Sequence, residues 1–284
     1  MITRQDGNGG LPFVRIQNQA AQASICLLGA TVLEYQPQGA AALLWTSPNS
    51  HYAVGTPIRG GIPVCWPWFG AHPTDPSLPA HGFVRTRLWR VTQAVDETAG
   101  RSVVELACED DEKTRQMWPY PFELRLRVTV GAELSVALTS ANRGSSAFPF
   151  SAALHTYFAV ADVAAIQIDG LDGVPFLSKT HNYQRFVEPG PIRISAQTDR
   201  VYLDTTATCT IHDPGMNRRI QIEKEGSHTT VVWNAWEKLS AEMADLGAGM
   251  YRKYVCVETV IGPQEQKVLP AGETHTMSAT IQLK

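Results

Sequence analysis

Apolar and polar residues alternate at every second position along much of the chain. The clearest example is residues 122–130, in which charged residues separate apolar ones. Because successive side chains of a strand point to opposite faces, this pattern predicts a strand with one buried face. The dipeptide Gly131-Ala132 separates it from a second alternating run at residues 134–139. The two runs therefore predict an antiparallel hairpin.

The same alternation recurs in other parts of the chain, whereas helical periodicity is confined to residues 113–117 and 237–246. The chain contains 22 glycines and 18 prolines, which break up the remaining sequence, and we find no repeat or linker. We therefore predict an all-β protein, one large antiparallel β-sandwich domain over residues 1–284. The further predicted strands are residues 89–95 and 103–108, which form a hairpin around Gly100, and residues 24–33, 152–159, 165–168, 219–223, 229–234, 254–260 and 276–283.

Charge and cysteine content narrow the classes of function. The chain has 24 Lys and Arg against 27 Asp and Glu, a net charge of −3, without blocks of like charge. This balance argues against nucleic acid or an acidic membrane as a partner. Five scattered cysteines, without a CxxC pair, predict buried free thiols in a reducing cytoplasm. We expect a cytoplasmic monomer that binds a small molecule and does not associate with membranes.

Residues 57–70, PIRGGIPVCWPWFG, combine prolines, glycines and three aromatic residues around one arginine, Arg59. Glycine allows backbone to approach a ligand closely, and aromatic faces offer a surface for a sugar ring or base. The guanidinium group of Arg59 is a forked donor suited to phosphate or carboxylate. This run predicts the wall of a site for a small, polar anion.

Glu258 interrupts an apolar strand. Alternation places Val255, Val257 and Thr259 on one face and Glu258 on the other. A carboxylate on an apolar face is costly unless it is paired or lines a cleft, and partial desolvation would raise its pKa toward that of a general base. The alternative interpretation is an edge-strand position, or a salt bridge to Arg252 or to its neighbour Lys253.

Three further residues are candidates for the same site. His155 lies in an apolar strand with Tyr157 on its face, and it could donate a proton or be a core histidine bonded to a carbonyl. His81 lies in a glycine-containing loop four residues before Arg85, and a plain surface position is equally open. Asp199 precedes a predicted strand, where it could cap a turn.

Taken together, these motifs resemble those of the glucose-6-phosphate 1-epimerases, a branch of the aldose 1-epimerase superfamily. The resemblance extends from about residue 20 to the C-terminus, and the long first motif makes it specific. It implies an antiparallel β-supersandwich of the galactose mutarotase-like type. The motifs are residues 57–70, HGFVR at 81–85, LHTYF at 154–158, DRVY at 199–202, VVWN at 231–234 and VCVE at 255–258.

The resemblance also implies roles for individual residues. Glu258 matches the general base that takes the proton of the anomeric hydroxyl, and His155 the general acid that protonates the ring oxygen. His81 matches a hydrogen-bond donor near that oxygen, and Asp199 a carboxylate that orients sugar hydroxyls. Neither a metal nor an organic cofactor is implied. The remaining substrate-binding residues are Arg59 and Arg85 on the phosphate side, and Trp66 and Trp233 as an apolar floor.

The expected activity is therefore interconversion of the α and β anomers of a hexose 6-phosphate, most readily glucose 6-phosphate. Two alternatives remain. A glycoside hydrolase could use Asp199 and Glu258 as its two carboxylates, although it would leave His155 without a task. A carbohydrate-binding or sugar-phosphate-binding protein could keep the cavity without turnover.

Overall fold

The computed structural model describes residues 1–284, apart from the side chain at position 263. Antiparallel strands form most of the regular structure, as the alternation predicts. In chain order the strands are β1 (Ile2–Asp6), β2 (Pro12–Gln17), β3 (Ala21–Cys26), β4 (Thr31–Pro37), β5 (Val64–Cys65), β6 (Arg90–Thr98), β7 (Arg101–Glu109), β8 (Phe122–Val130), β9 (Glu133–Asn142), β10 (Phe148–Phe150), β11 (Ala152–Leu154), β12 (Tyr157–Ala159), β13 (Gln167–Asp169), β14 (Phe176–Ser178), β15 (Gln184–Phe186), β16 (Thr198–Tyr202), β17 (Cys209–Asp213), β18 (Arg218–Glu225), β19 (Thr229–Asn234), β20 (Tyr254–Ile261), β21 (Lys267–Leu269) and β22 (Thr274–Leu283).

Helices are short. Helix α1 (Glu112–Met117) has six residues and α2 (Trp236–Glu242) has seven, at the two places where helical periodicity predicts a turn or two. No helix in the described part of the chain is long and apolar enough to span a membrane. Single 3₁₀ turns lie at Asn8–Gly10, Val84–Thr86, Lys179–His181, Pro214–Met216, Met250–Lys253 and Pro263–Glu265.

Two eight-stranded sheets form the body of the molecule. Sheet 1 has the order β15-β14-β16-β19-β20-β11-β5, and β12 also pairs with β20. Sheet 2 has the order β13-β17-β18-β22-β9-β8-β7-β6. Strands β1–β4 form a separate four-stranded sheet, and β10 pairs with β21. The two predicted hairpins, β6–β7 and β8–β9, are confirmed.

Burial differs between strands of the two sheets. Strand β8 alternates between buried apolar and more exposed polar residues, so only one of its faces packs in the core. Strand β20 is buried at every position, so both faces of sheet 1 are covered there. Val255 and Val257 of β20 join the large apolar core, whereas Cys256 packs in a separate cluster on the other face. The expected alternation in β20 is therefore confirmed.

Two predicted strands are wrong, because each divides into two shorter strands. Residues 24–33 divide into β3 and β4, because Gly29 and Ala30 adopt left-handed backbone conformations that reverse the chain. A Cβ on Gly29 would lie 2.6 Å from the carbonyl oxygen of Arg85, so the turn also requires a residue without a side chain. Residues 152–159 divide into β11 and β12, and the interruption falls at His155 and its neighbour Thr156.

Each of the five cysteines is buried and free, as predicted. Asp199 lies within β16 and does not precede a strand, so the turn-capping interpretation is wrong. The polar stretch at residues 169–193 contains β14, β15 and the turn Lys179–His181.

Candidate active site

Strand register brings His155 and Glu258 together. Leu154 at the end of β11 lies opposite Thr259 of β20, and β12 continues on β20 in the same register. His155, in the interruption between β11 and β12, is therefore opposite Glu258. Its backbone N–H donates to the carbonyl oxygen of Pro63, 3.0 Å away, which continues the register between β11 and β5. Two residues opposite each other on antiparallel strands point to the same face, so their side chains meet.

Neighbouring strands add more side chains to that face of sheet 1. Val231 of β19 is opposite Glu258, and Trp233, two residues further along β19, is opposite Asp199 of β16. Because residues two apart on a strand share a face, these side chains lie on the same side as His155. Three central strands thus direct chemically different groups into one cavity.

The His155–Glu258 pair is almost excluded from solvent. Nε2 of His155 lies 3.3 Å from Oε1 of Glu258, and the two side chains are 11% and 1% exposed. The His155 ring also stacks on Tyr157 at a centroid distance of 4.9 Å. Nδ1 of His155 and Oε2 of Glu258 are buried and have no hydrogen-bond partner among the described residues. Two polar atoms without partners at one position indicate a place prepared for a ligand.

Burial shifts the pKa values of this pair in opposite directions. Desolvation raises the pKa of Glu258 well above its usual range, opposed by the charge of Lys179 and reinforced by that of Asp199. Desolvation lowers the pKa of His155 well below its usual range, and the charge of Arg59 acts in the same direction. Arg252, one proposed structural partner of Glu258, instead pairs with Asp162.

His81 lies at the cavity in a strained backbone conformation, with φ of 65°. Its N–H donates to the carbonyl oxygen of Gly70 at 2.6 Å, and its Nδ1 accepts from the N–H of Gly70 at 3.3 Å. Burial, together with the charges of Arg85 and Lys179, lowers the pKa of His81 to about 3. The imidazole is therefore neutral, with its hydrogen on Nε2, and it can donate one hydrogen bond to a ligand oxygen.

Arg59 is held by protein groups on two sides. Its Nε donates to Oδ2 of Asp245 at 3.0 Å, and one guanidinium nitrogen donates to the hydroxyl of Tyr157, also at 3.0 Å. Tyr157 stacks on His155, so this arginine is linked by contacts to the acid–base pair. The charge of Arg59 is offset by that of Asp245 before any ligand binds.

Arg85 and Lys179 provide two further positive charges. Arg85 donates to the carbonyl oxygen of Ala80 at 2.8 Å, and its buried Nε has no partner among the described residues. Lys179 lies 3.3 Å from Oδ1 of Asp199, close enough for an ion pair, and over the ring of Phe69. Desolvation raises the pKa of Asp199, and Lys179 opposes that shift. Cations therefore outnumber ionised carboxylates on this side of the cavity.

These residues line a cavity of about 320 Å³, within the range typical of small-ligand sites. The structure brings together seven of the eight residues predicted from the sequence. Trp233 lies among them, with its ring edge-on to His155 at 6.0 Å. The cavity is lined by Arg59, Phe69, Ala80, His81, Arg85, His155, Lys179, Asp199, Val231, Trp233, Leu239, Met243 and Glu258.

Trp66 does not reach the cavity. Its side chain is completely buried and packs against Trp118 and Phe122 in the core, with ring centroids 4.8 Å and 4.4 Å away. The expected contact between Trp66 and substrate is therefore not possible in this conformation, and Trp66 is a packing residue.

The glycines at residues 60 and 61 also act differently from the expectation. A Cβ on Gly60 would lie 2.4 Å from Cα of Thr46, and one on Gly61 would lie 2.2 Å from the carbonyl oxygen of Val32. These glycines allow backbone to pack on backbone and so fix the position of Arg59; they do not border the ligand.

Sequence reasoning missed two charged residues. Lys179 lies in a polar stretch for which we predicted no strand, and the strand directly before it, β14 (Phe176–Ser178), is too short to show alternation. Asp245 follows α2 and contacts Arg59 across 186 positions of sequence. Periodicity carries no signal for such contacts.

Comparison with known proteins identifies the family of this chain. The profile of the aldose 1-epimerase family matches residues 12–282. A Salmonella typhimurium protein named "Putative glucose-6-phosphate 1-epimerase" is 34% identical over 258 residues, covering 90% of this chain and 85% of its own. An Escherichia coli protein of the same name is 34% identical over 266 residues, covering 93% of this chain and 88% of its own.

Solved structures show the same fold. A Salmonella typhimurium protein described as a "putative mutarotase" superimposes with a TM-score of 0.91 at 32% identity, covering 99% of this chain and 93% of its own. A galactose mutarotase-like protein from Clostridium acetobutylicum superimposes with a TM-score of 0.78 at 16% identity, covering 100% of this chain and 98% of its own. The predicted galactose mutarotase-like β-sandwich is confirmed.

Proposed function

Because the chain belongs to the aldose 1-epimerase family, we propose that it interconverts the α and β anomers of hexose 6-phosphates, with glucose 6-phosphate as the principal substrate. The observation that carries this proposal is the buried contact of 3.3 Å between His155 and Glu258. The names of the Salmonella and Escherichia relatives support the choice of glucose 6-phosphate.

Mutarotation requires a base at the anomeric hydroxyl and an acid at the ring oxygen in one encounter. In the free protein the opposed pKa shifts favour the uncharged pair, with the proton on Glu258 and a neutral imidazole on His155. Moving that proton from Glu258 to His155 produces a carboxylate base and an imidazolium acid without exchange with solvent. The pair therefore titrates as one unit that holds a single transferable proton at neutral pH.

The reaction then follows from the position of the pair. Glu258 takes the proton from the anomeric hydroxyl as His155 gives its proton to the ring oxygen, and the bond between C1 and the ring oxygen breaks. His81 donates from Nε2 to an oxygen at that end of the sugar. Rotation about C1–C2 presents the other face of the aldehyde, and the same transfers in reverse close the ring. The proton count of the pair is unchanged after each turnover.

The rest of the cavity would hold the sugar phosphate. Arg85 has a buried donor without a partner among the described side chains, which makes it the stronger candidate for direct phosphate contact. Lys179 adds a second charge, while Arg59 is engaged by Asp245 and the Tyr157 hydroxyl and contributes charge at a fixed position. Asp199 would accept from sugar hydroxyls, and Trp233 would pack against the ring.

The test is anomer exchange of glucose 6-phosphate, measured by one-dimensional NMR saturation transfer. The wild-type protein should accelerate exchange, and Glu258→Gln should lose the acceleration. Asp169→Asn is the matched control, since Asp169 also contacts a histidine but lies in sheet 2.

Other outcomes point to the alternatives. Exchange of free glucose or galactose alone would assign the chain to unphosphorylated sugars. Binding of glucose 6-phosphate without exchange would identify a binding protein, and release of reducing sugar from a glycoside would identify a hydrolase that uses Asp199 and Glu258.

A further inference from the structure

Cys256 lies beside the acid–base pair and has no part in the mechanism above. It is two residues from Glu258 on β20, so both side chains point to the same face, and it is opposite Tyr157 of β12. One ligand atom each from His155, Cys256 and Glu258 can be chosen so that all three lie within 4.8 Å of one another. All three residues are buried.

Two polar atoms of this cluster already lack partners. Nδ1 of His155 and Oε2 of Glu258 are buried and accept no hydrogen bond from the described residues. A buried polar atom without a partner is costly, and a bound cation is one way of satisfying it. The cluster therefore combines a nitrogen, a sulfur and an oxygen donor with unused bonding capacity.

We propose that His155, Cys256 and Glu258 form an inhibitory site for a soft divalent cation such as Zn²⁺. Nitrogen, thiolate and carboxylate are the ligand types that zinc takes in proteins, and three protein ligands leave the fourth tetrahedral position open. A thiolate selects such metals over Mg²⁺ and Ca²⁺, which prefer oxygen ligands. This inference goes beyond the proposed function, because metal binding can be measured without any sugar.

The geometry is close to what zinc requires. With bonds of about 2.0–2.3 Å, tetrahedral ligand atoms lie about 3.5 Å apart. One ligand atom of each of the three residues already lies within 4.8 Å of the other two, so small side-chain movements would bring them to that spacing. Each ligand contributes an electron pair to the metal, and the protons of the thiol and of the carboxyl group pass to water. The two negative ligands then balance the charge of the cation in the buried site.

Binding would stop mutarotation because it occupies both the base and the acid. It would also compete with the sugar, whose anomeric oxygen needs the same two groups. The cation would thus be an inhibitor of the proposed reaction.

The first experiment is calorimetric titration of the sugar-free, reduced protein with Zn²⁺ and, separately, with Mg²⁺, followed by Co²⁺ as a spectroscopic probe. We expect one tight Zn²⁺ site, negligible heat with Mg²⁺, and a thiolate-to-cobalt charge-transfer band. Cys256→Ser should weaken Zn²⁺ binding by roughly 100-fold, because a hydroxyl is a poor ligand for soft metals. The cobalt band should be absent in Cys256→Ala.

Cys65→Ser is the matched control. Cys65 is likewise fully buried in sheet 1, on β5, but it is not a member of the ligand cluster. This variant should keep the affinity for Zn²⁺ and the cobalt band. Retained anomer exchange would show that each cysteine variant is folded, and circular dichroism and the thermal midpoint give the same check if the protein proves to have no such activity.

Specific results would overturn the inference. An unchanged Zn²⁺ affinity in both Cys256 variants, or a cobalt spectrum without a thiolate band, would remove Cys256 from any site. Equal losses in Cys65→Ser and Cys256→Ser would indicate nonspecific thiol binding. Tight Zn²⁺ binding that leaves exchange unaffected would place the metal away from the acid–base pair.

Discussion

Each of the two large sheets carries one histidine–carboxylate pair, and the two pairs differ in their exposure to solvent. His155 and Glu258 of sheet 1 are nearly sealed from solvent. His212 and Asp169 of sheet 2 make a shorter contact, 2.6 Å between Nε2 and Oδ2, but their side chains are 30% and 44% exposed.

The pKa values of the two carboxylates shift in opposite directions. The pKa of Asp169 is lowered, chiefly by a hydrogen bond from Gln167 and also by His212. The pKa of Glu258 is raised, chiefly by burial. Asp169 is therefore ionised at neutral pH, whereas burial favours the protonated form of Glu258, which could exchange its proton with His155. Solvent exclusion, and not the identity of the two residues, makes only one pair suitable for proton transfer.

The largest difference should appear in catalysis. Glu258→Gln should reduce anomer exchange of glucose 6-phosphate by about 10²–10⁴-fold, the usual contribution of a positioned acid or base. Asp169→Asn should leave exchange unchanged. Saturation-transfer NMR measures both, and equal losses in the two variants would contradict the assignment of the active pair.

A second difference concerns the arginines near each pair. Arg85→Met should raise KM for glucose 6-phosphate by roughly 10–100-fold, because a charge-assisted contact to phosphate is lost. Arg219→Met is the control, since Arg219 lies opposite His212 on the neighbouring strand. Steady-state kinetics with glucose 6-phosphate and free glucose test this: Arg85→Met should leave KM for free glucose unchanged, and equal losses on both sugars would exclude Arg85 from the phosphate site.

The pH profile is a third test. A solvent-exposed imidazole of pKa 6.5 would be roughly half protonated at pH 6.5 and would lose about half of its activity there. Because burial lowers the pKa of His155 well below 6.5, kcat/KM should stay level through pH 6.5 and fall only at lower pH. Phosphate itself ionises near pH 6, so glucose 6-sulfate is the substrate for this profile. A midpoint at or above 6.5 would contradict the burial argument.

The smallest effects should appear in stability. Folding raises the pKa of Glu258, so the folded state binds more protons and stability falls as pH rises above 4.5, the usual carboxyl value. Glu258→Gln should therefore gain stability relative to wild type as pH rises from 4.5 toward neutrality. Folding lowers the pKa of Asp169 from 3.8, so its contribution is present above 3.8 and is lost in acid.

The comparison is made by measuring the free energy of unfolding in urea between pH 4 and pH 8. The difference between Asp169→Asn and wild type should be a small loss that persists from pH 8 down to pH 4 and disappears only below pH 3.8, when the series is extended into acid. A loss of stability in Glu258→Gln that grows with pH would show that Glu258 is ionised in the folded protein.

The strands of the site were largely predictable, because their signal is local. Residues 229–234 form β19 with the predicted bounds, and β20 extends the prediction by one residue. Breaks within strands were harder to predict, because the backbone around the interruption at His155 pairs with residues of a distant segment, such as Pro63 and Gly61. Lys179 was missed and Trp66 misplaced for the same reason, since each depends on what packs around it.

The sequence by itself determined the alternation, and therefore which side chains share a face: Tyr157 with His155, and Cys256 with Glu258. Only the tertiary structure placed these two pairs of side chains on the same face of one sheet. Pairing of β11 and β12 with β20 joins residues about a hundred positions apart, and such register depends on the whole sheet. The tertiary structure also decided the direction in which the pKa values of His155 and Glu258 shift. Burial causes these shifts, and the segments that exclude solvent come from all parts of the chain.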